Sequence, residues 1–216
     1  MTDSDAPLPA GDFDAWLEGM QAALSGEAES DVPCGECTAC CTSSQFVHIR
    51  PDETDALAHI PAALQFSAPG LPAGHVLMGY DSRGHCPMLI DGACSIYAHR
   101  PRTCRTYDCR VFAAARTRDP DPAKADITRR AIRWRFTYDG VDAEHRHDAV
   151  ASAATFLAGH DSLLPPDLAP ANPTQLAVLA VVIHDCFLAG DAGSGETHLI
   201  EPDPEVVRDE VIRRSS

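Results

Sequence analysis

Phe13, Trp16, Leu17, Met20 and Leu24 recur at three- and four-residue intervals, the spacing that puts apolar side chains on one helical face. This predicts an amphipathic helix over residues 12–25, with Asp12 placed to cap it. A polar stretch, Gly26 to Pro33, follows. Phe46 to Ile49 predicts a short strand, Asp52 to Ile60 a short helix that Pro61 stops, and the Pro- and Gly-rich run Ser67 to Gly74 a loop. Cys86 to Ile90 and Ala93 to Tyr97 flank Asp91-Gly92, a dipeptide whose tolerance of positive φ suits a two-residue hairpin turn.

Pro101 can open a helical turn. Further helices are predicted over Pro122 to Arg135, Ala143 to Ala158 and Pro173 to Leu188, the last capped by Asn172. That last segment is apolar nearly all round, which marks it as a central core helix, and Glu205 to Arg213 predicts an exposed terminal helix. Asp191-Ala-Gly193-Ser-Gly195 resembles a methyltransferase nucleotide loop but follows a helix, so it reads as a linker that ends the helix. The expected organisation is an N-terminal helix and linker (1–33), a cysteine-cluster metal-binding domain (34–110), a helical extension packed on it (111–190) and a tail (191–216). The expected fold class is α+β and mainly helical: a compact cysteine-rich metal knot with a short β-hairpin, clasped by flanking helices.

Composition adds chemistry to this outline. With 216 residues, 44% of them apolar, the chain can bury its own core. Its start carries no basic-then-apolar leader, and no apolar run reaches the roughly 18 residues that span a bilayer. A cytoplasmic location with no membrane association is therefore expected, and with it a reducing environment that keeps thiols free as ligands. Of nine cysteines, eight lie between Cys34 and Cys109, whereas Cys186 sits alone in the apolar helix and reads as a packing thiol.

The net charge of −15 argues against nucleic acid as a partner, because phosphate binding needs a positive face. One segment runs the other way: Arg100 to Arg135 holds eleven basic residues against four aspartates, a local balance of +7. These cations either pair with acids on a solvated face, offset a thiolate-rich centre, or meet an anionic substrate or partner.

The cysteines fall into two groups. Cys34-Gly-Glu-Cys37-Thr-Ala-Cys40-Cys41 repeats the two-residue interval that lets tight turns aim sulfurs at one point. Adjacent Cys40 and Cys41 diverge by about 100° in a helix, so both are not expected on one tetrahedral ion. The second group is Cys86, Cys94, Cys104 and Cys109, carried by the hairpin and the turn after Arg100-Pro101.

Together with Cys86-Pro87, Gly92-Ala93-Cys94-Ser95-Ile96-Tyr97, Arg100-Pro101 and Cys104-Arg105, this pattern resembles the CxxCxxCC cysteine-cluster family, the YkgJ-like proteins described as zinc- or iron-chelating. The resemblance covers about residues 34 to 110 and implies metal binding through the eight clustered cysteines. Flagellin lysine methylases share the pattern, so it implies no single reaction. It also draws attention to Tyr97, Arg100, Pro101 and Arg105 without fixing their roles.

Three cysteines at this spacing plus a distant Cys-Pro echo the ligand run of bacterial ferredoxins, which favours a 4Fe–4S iron–sulfur cluster. In that run the Cys-Pro follows closely, whereas here it comes after a gap of forty-five residues. Cys34, Cys37, Cys40 and Cys86 are the first choice for one cluster, with Cys41, Cys94, Cys104 and Cys109 forming or completing a second site. Zinc is the alternative, since eight thiols also make two closed four-cysteine sites. His85 and His99 stand beside these ligands and either ligate a metal or support it by hydrogen-bonding a sulfur, while Tyr97, Arg100 and Arg105 are candidates for structural hydrogen bonds or for binding an anionic substrate.

No catalytic residue is identified, and whether the protein is an enzyme is left open. Three functions follow: a metal-cluster protein in electron transfer or redox sensing, a zinc-stabilised interaction module that binds a protein partner through the helical extension, or a protein-modifying enzyme akin to the methylases.

Overall fold

The computed structural model describes residues 6–30, 32–67, 70–160, 162–190 and 196–215. It is an α+β protein, 47% helical and 13% strand, with four small sheets among the described residues. The chain divides into two compact units. One comprises residues 1–21, 109–119 and 131–216, and the other residues 22–108 and 120–130. No helix among the described residues is long and apolar enough to cross a membrane.

The first unit begins with a strand absent from the sequence reading. Leu8–Asp12 pairs in parallel with Trp134–Thr137, with a register irregularity between Pro9 and Gly11. The expected helix over Pro122 to Arg135 is accordingly shorter. A turn at Pro122–Lys124 leads into a helix at Ala125–Ala131, and the β-prone run Trp134–Thr137 leaves it to join the sheet. The helix Phe13–Ser25 starts directly after the first strand, and the Asp12 carboxylate caps it by accepting from Ala15 N–H at 3.0 Å.

Phe13 is fully buried in an aromatic cluster: Phe136 meets it edge-on with centroids 5.1 Å apart, and His147 stacks on it at 4.6 Å. Burial lowers the His147 pKa, so the ring is held neutral, within reach of the Tyr138 hydroxyl at 2.8 Å. Asp14 pairs with Arg146.

Helices Val141–Gly159 and Pro173–Ile183 pack on each other through small buried residues, among them Ala149, Ala153, Ala177 and Ala180, which allow close approach. The Asn172 carboxamide oxygen caps the second helix by accepting from Gln175 N–H at 3.0 Å. This helix ends at Ile183, a 3-10 turn covers His184–Phe187, and Leu188–Gly190 pairs with Thr197–Leu199. Residues 191–195, read as a linker that ends the helix, lie outside the described residues. The C-terminal helix, Pro204–Ser215, is anchored by Val207 and Val211, both buried, and packs on Pro173–Ile183.

The second unit holds a three-stranded antiparallel sheet in which Val76–Met78 lies between Val47–Ile49 and Gln65–Phe66. Its apolar cluster consists of Val47, Ile49, Ala56, Ile60, Met78, Met88 and Ile96. Helix Thr54–His59 contributes Ala56, and the Gln65 side-chain amide donates to the carbonyls of Leu57 and Ile60 at the end of that helix. The hairpin forms as expected around Asp91-Gly92, both at positive φ, but each strand is only two residues, Leu89–Ile90 and Ala93–Cys94. Cys86 therefore precedes the hairpin, and only Cys94 lies on it. Helix Arg102–Thr106 packs on the Val47–Ile49 strand, where the Thr103 hydroxyl donates to the His48 carbonyl at 2.6 Å.

Candidate metal centre

Seven of the eight clustered cysteines belong to the second unit, and local turns set each in place. Cys37 N–H donates to the Cys34 carbonyl at 3.0 Å, a tight turn made possible by Gly35 at φ +55°. Cys40 and Cys41 share the 3-10 turn Ala39–Thr42, which Cys41 N–H ties to the Thr38 carbonyl at 2.8 Å. Two backbone bonds then join this loop to the Cys86 segment: Cys86 N–H donates to the Cys41 carbonyl at 2.7 Å, and Ser44 N–H to the Gly84 carbonyl at 2.8 Å. Lys124 secures the same loop by donating to the carbonyls of Ser43 and Ser44 at 2.7 and 2.8 Å.

Cys86-Pro-Met-Leu turns back on itself, with Leu89 N–H bonded to the Cys86 carbonyl at 3.0 Å. The backbone amides of Met88 and Leu89 favour the Cys86 thiolate, against the burial that raises its pKa. Amide donors of this kind stabilise a thiolate once it is formed. Cys94 comes from the hairpin and Cys104 from helix Arg102–Thr106, and with Cys86 they pack against the apolar cluster of the unit.

Electrostatics shows which thiols are neighbours. Burial, then Cys86, Cys94 and Cys37, push the Cys41 thiol up to about 11. Burial, then Cys86, Cys41 and Cys94, push Cys104 up to about 12. Cys86 is also raised, by burial first and by Cys94. Cys41, Cys86, Cys94 and Cys104 thus form one mutually repelling set when ionised, and Cys37 connects it to Cys34, whose thiol is raised by burial and by Cys37. Cys86 is joined to Cys41 by a backbone bond and shares the apolar cluster with Cys94 and Cys104.

Four neighbouring thiolates require a compensating cation. Arg100 is the side chain that lowers Cys34, Cys41 and Cys104 together, and Arg130 acts on Cys34 as well. Neither matches the charge of the set, so the donor chemistry suits a metal or cluster that thiolates bind.

The remaining candidates are placed as follows. Arg100 lies over the exposed Tyr97 ring, 3.7 Å from its centroid, and donates to the Tyr97 carbonyl at 2.9 Å. Arg105 pairs with Glu29 at 2.9 Å. His85 is held through its backbone N–H by Asp81 at 2.9 Å. His99 turns to Asp55, its Nδ1 2.8 Å from the carboxylate. Cys109 belongs to the other unit, where it is buried and its sulfur accepts from the Trp134 indole N–H at 3.2 Å. Cys186 lies in the His184–Phe187 turn, its thiol raised by burial.

Most of the basic segment is engaged with carbonyls and acids: Arg110 donates to the Ala10 carbonyl, Arg116 pairs with Asp148 and Arg129 with Asp126.

Cys41, Cys86, Cys94 and Cys104 are brought to one region by the Cys41–Cys86 backbone bond and one apolar cluster, a donor set that suits a cysteine-ligated metal. Residues 33–124 match the CxxCxxCC family model, described as "Putative zinc- or iron-chelating domain". No curated protein and no solved structure matches the chain.

Proposed function

We propose that the second unit carries a cysteine-ligated iron–sulfur centre that serves electron transfer or redox sensing. The supporting observation is the backbone bond from Cys86 N–H to the Cys41 carbonyl at 2.7 Å, together with the packing of Cys86, Cys94 and Cys104 on one apolar cluster, which brings four soft donors into one region. These four are the proposed ligands, and Cys34 and Cys37, connected to them through Cys41, are proposed to hold the next metal of the centre. A cluster there would supply an electron-accepting group. Around it, the Met88 and Leu89 amides and Arg100 favour the charged thiolates, and the partial burial of the thiols limits solvent.

The test is a cycle of chemical reduction and reoxidation on protein purified without oxygen, followed by visible and electron paramagnetic resonance spectroscopy. Reversible bleaching with a paramagnetic signal in one state is the expected result. A protein that neither bleaches nor gives a signal contradicts the redox role.

One observation favours a second reading. Cys86, Cys94 and Cys104 pack directly on an apolar cluster with only seven buried members, so a zinc ion at this place would serve to hold the unit folded. Under that reading a chelator unfolds the unit and no redox signal exists.

A further inference from the structure

Another group of ligand atoms lies in the second unit, on side chains that the cysteine centre does not use. Asp55 and His59 are four apart on helix Thr54–His59 and so share a face, and His99 reaches them from the turn Tyr97–His99. One ligand atom from each of the three lies within 4.8 Å of the other two. His99 Nδ1 is 2.8 Å from one Asp55 carboxylate oxygen, and His59 Nδ1 is 3.5 Å from the other. The two imidazole rings stack with centroids 3.6 Å apart and planes 5° from parallel.

His59 Nδ1 also lies 2.8 Å from the Asp55 carbonyl, an acceptor, so a neutral His59 carries its proton there and bares Nε2. Two imidazoles and one carboxylate with ligand atoms this close are the donor set of a borderline divalent cation.

We propose that Asp55, His59 and His99 form a second metal site, of the zinc class of divalent cations and distinct from the cysteine centre. The side chains are 65%, 41% and 38% exposed, so the rings can turn their lone pairs toward an ion that enters from solvent. Three protein ligands leave coordination positions open to water or to a small anionic ligand, unlike a closed four-thiolate site.

The test uses the full chain and zinc ion alone as the probe. Wild type, a His59→Ala/His99→Ala variant and a Cys41→Ser/Cys104→Ser variant are dialysed to equilibrium at fixed free zinc, and bound metal is then measured. The histidine variant is expected to hold one zinc fewer than wild type with an unchanged circular dichroism spectrum, and the cysteine variant to keep that zinc. Equal zinc in wild type and the histidine variant at every free concentration overturns the proposal. As a measurement that needs no variant, ring resonances of His59 and His99 in the wild-type protein are followed as zinc is added. Shifts that saturate at one equivalent support the site, and unmoved resonances overturn it.

Discussion

The backbone N–H of Cys86 donates to the carbonyl of Cys41 across 2.7 Å, so two cysteines distant in sequence are fastened by main chain before any metal is considered. Gly84 makes this junction possible. It sits at φ +81°, and a Cβ built on it would come 2.3 Å from the Ser44 hydroxyl oxygen. Gly84→Ala therefore combines a disfavoured backbone conformation with a clash at the loop that carries Cys41. A loss of about 1–3 kcal/mol of stability is expected, together with a reduced metal content. Denaturant unfolding and metal analysis of the purified variant check both.

Removal of one member of the four-thiol set should empty the site rather than weaken it by a fraction, because the remaining thiolates cannot satisfy a metal alone. Cys104→Ser is expected to lower bound metal about tenfold or more. Cys186→Ser, in the His184–Phe187 turn, should leave metal content at the wild-type level. Side-by-side metal analysis of the two variants separates these outcomes.

The raised thiols set opposite pH trends for the metal-free and metal-bound protein. In the metal-free form Cys41 and Cys104 are raised from 9.0 to about 11 and about 12. Their contribution to stability is thus fully present below pH 9 and is lost as pH rises through the folded-state values. Metal requires the thiolates, so acid competes for the ligands and affinity increases with pH. Thermal melts of the metal-free protein should fall above pH 9, whereas metal retention under a fixed competing chelator should improve from pH 6 to pH 8. A metal affinity independent of pH over that range would mean that the thiols are not the ligands.

In the first unit the burial of Phe13 against Phe136, Trp16 and His147 gives a separate prediction. Phe13→Ala should cost about 3–5 kcal/mol through lost contacts and the cavity left behind. The midpoint of denaturant unfolding measures it.

Phe13 also shows how much was legible in the sequence. Its helix and the Asp12 cap follow from local spacing and one side chain, as do the Asn172 cap and the Asp91-Gly92 turn. The strand Leu8–Asp12 did not, because its partner Trp134–Thr137 is far along the chain and Pro9 and Gly11 carry no strand signal. At the candidate centre, the two-residue repeat identified the ligand type. It could not show that Cys86 is fastened to Cys41 or that Cys86, Cys94 and Cys104 share an apolar cluster, because both depend on contacts distant in sequence. Long-range pairing decides both cases, and a periodicity of two to four residues holds no record of it.

The nature of the centre is tested most directly by the iron, zinc and acid-labile sulfide content of the full chain purified without oxygen. Iron with matching sulfide in a brown protein is the predicted result. Stoichiometric zinc without sulfide, in a colourless protein, would contradict the iron–sulfur assignment.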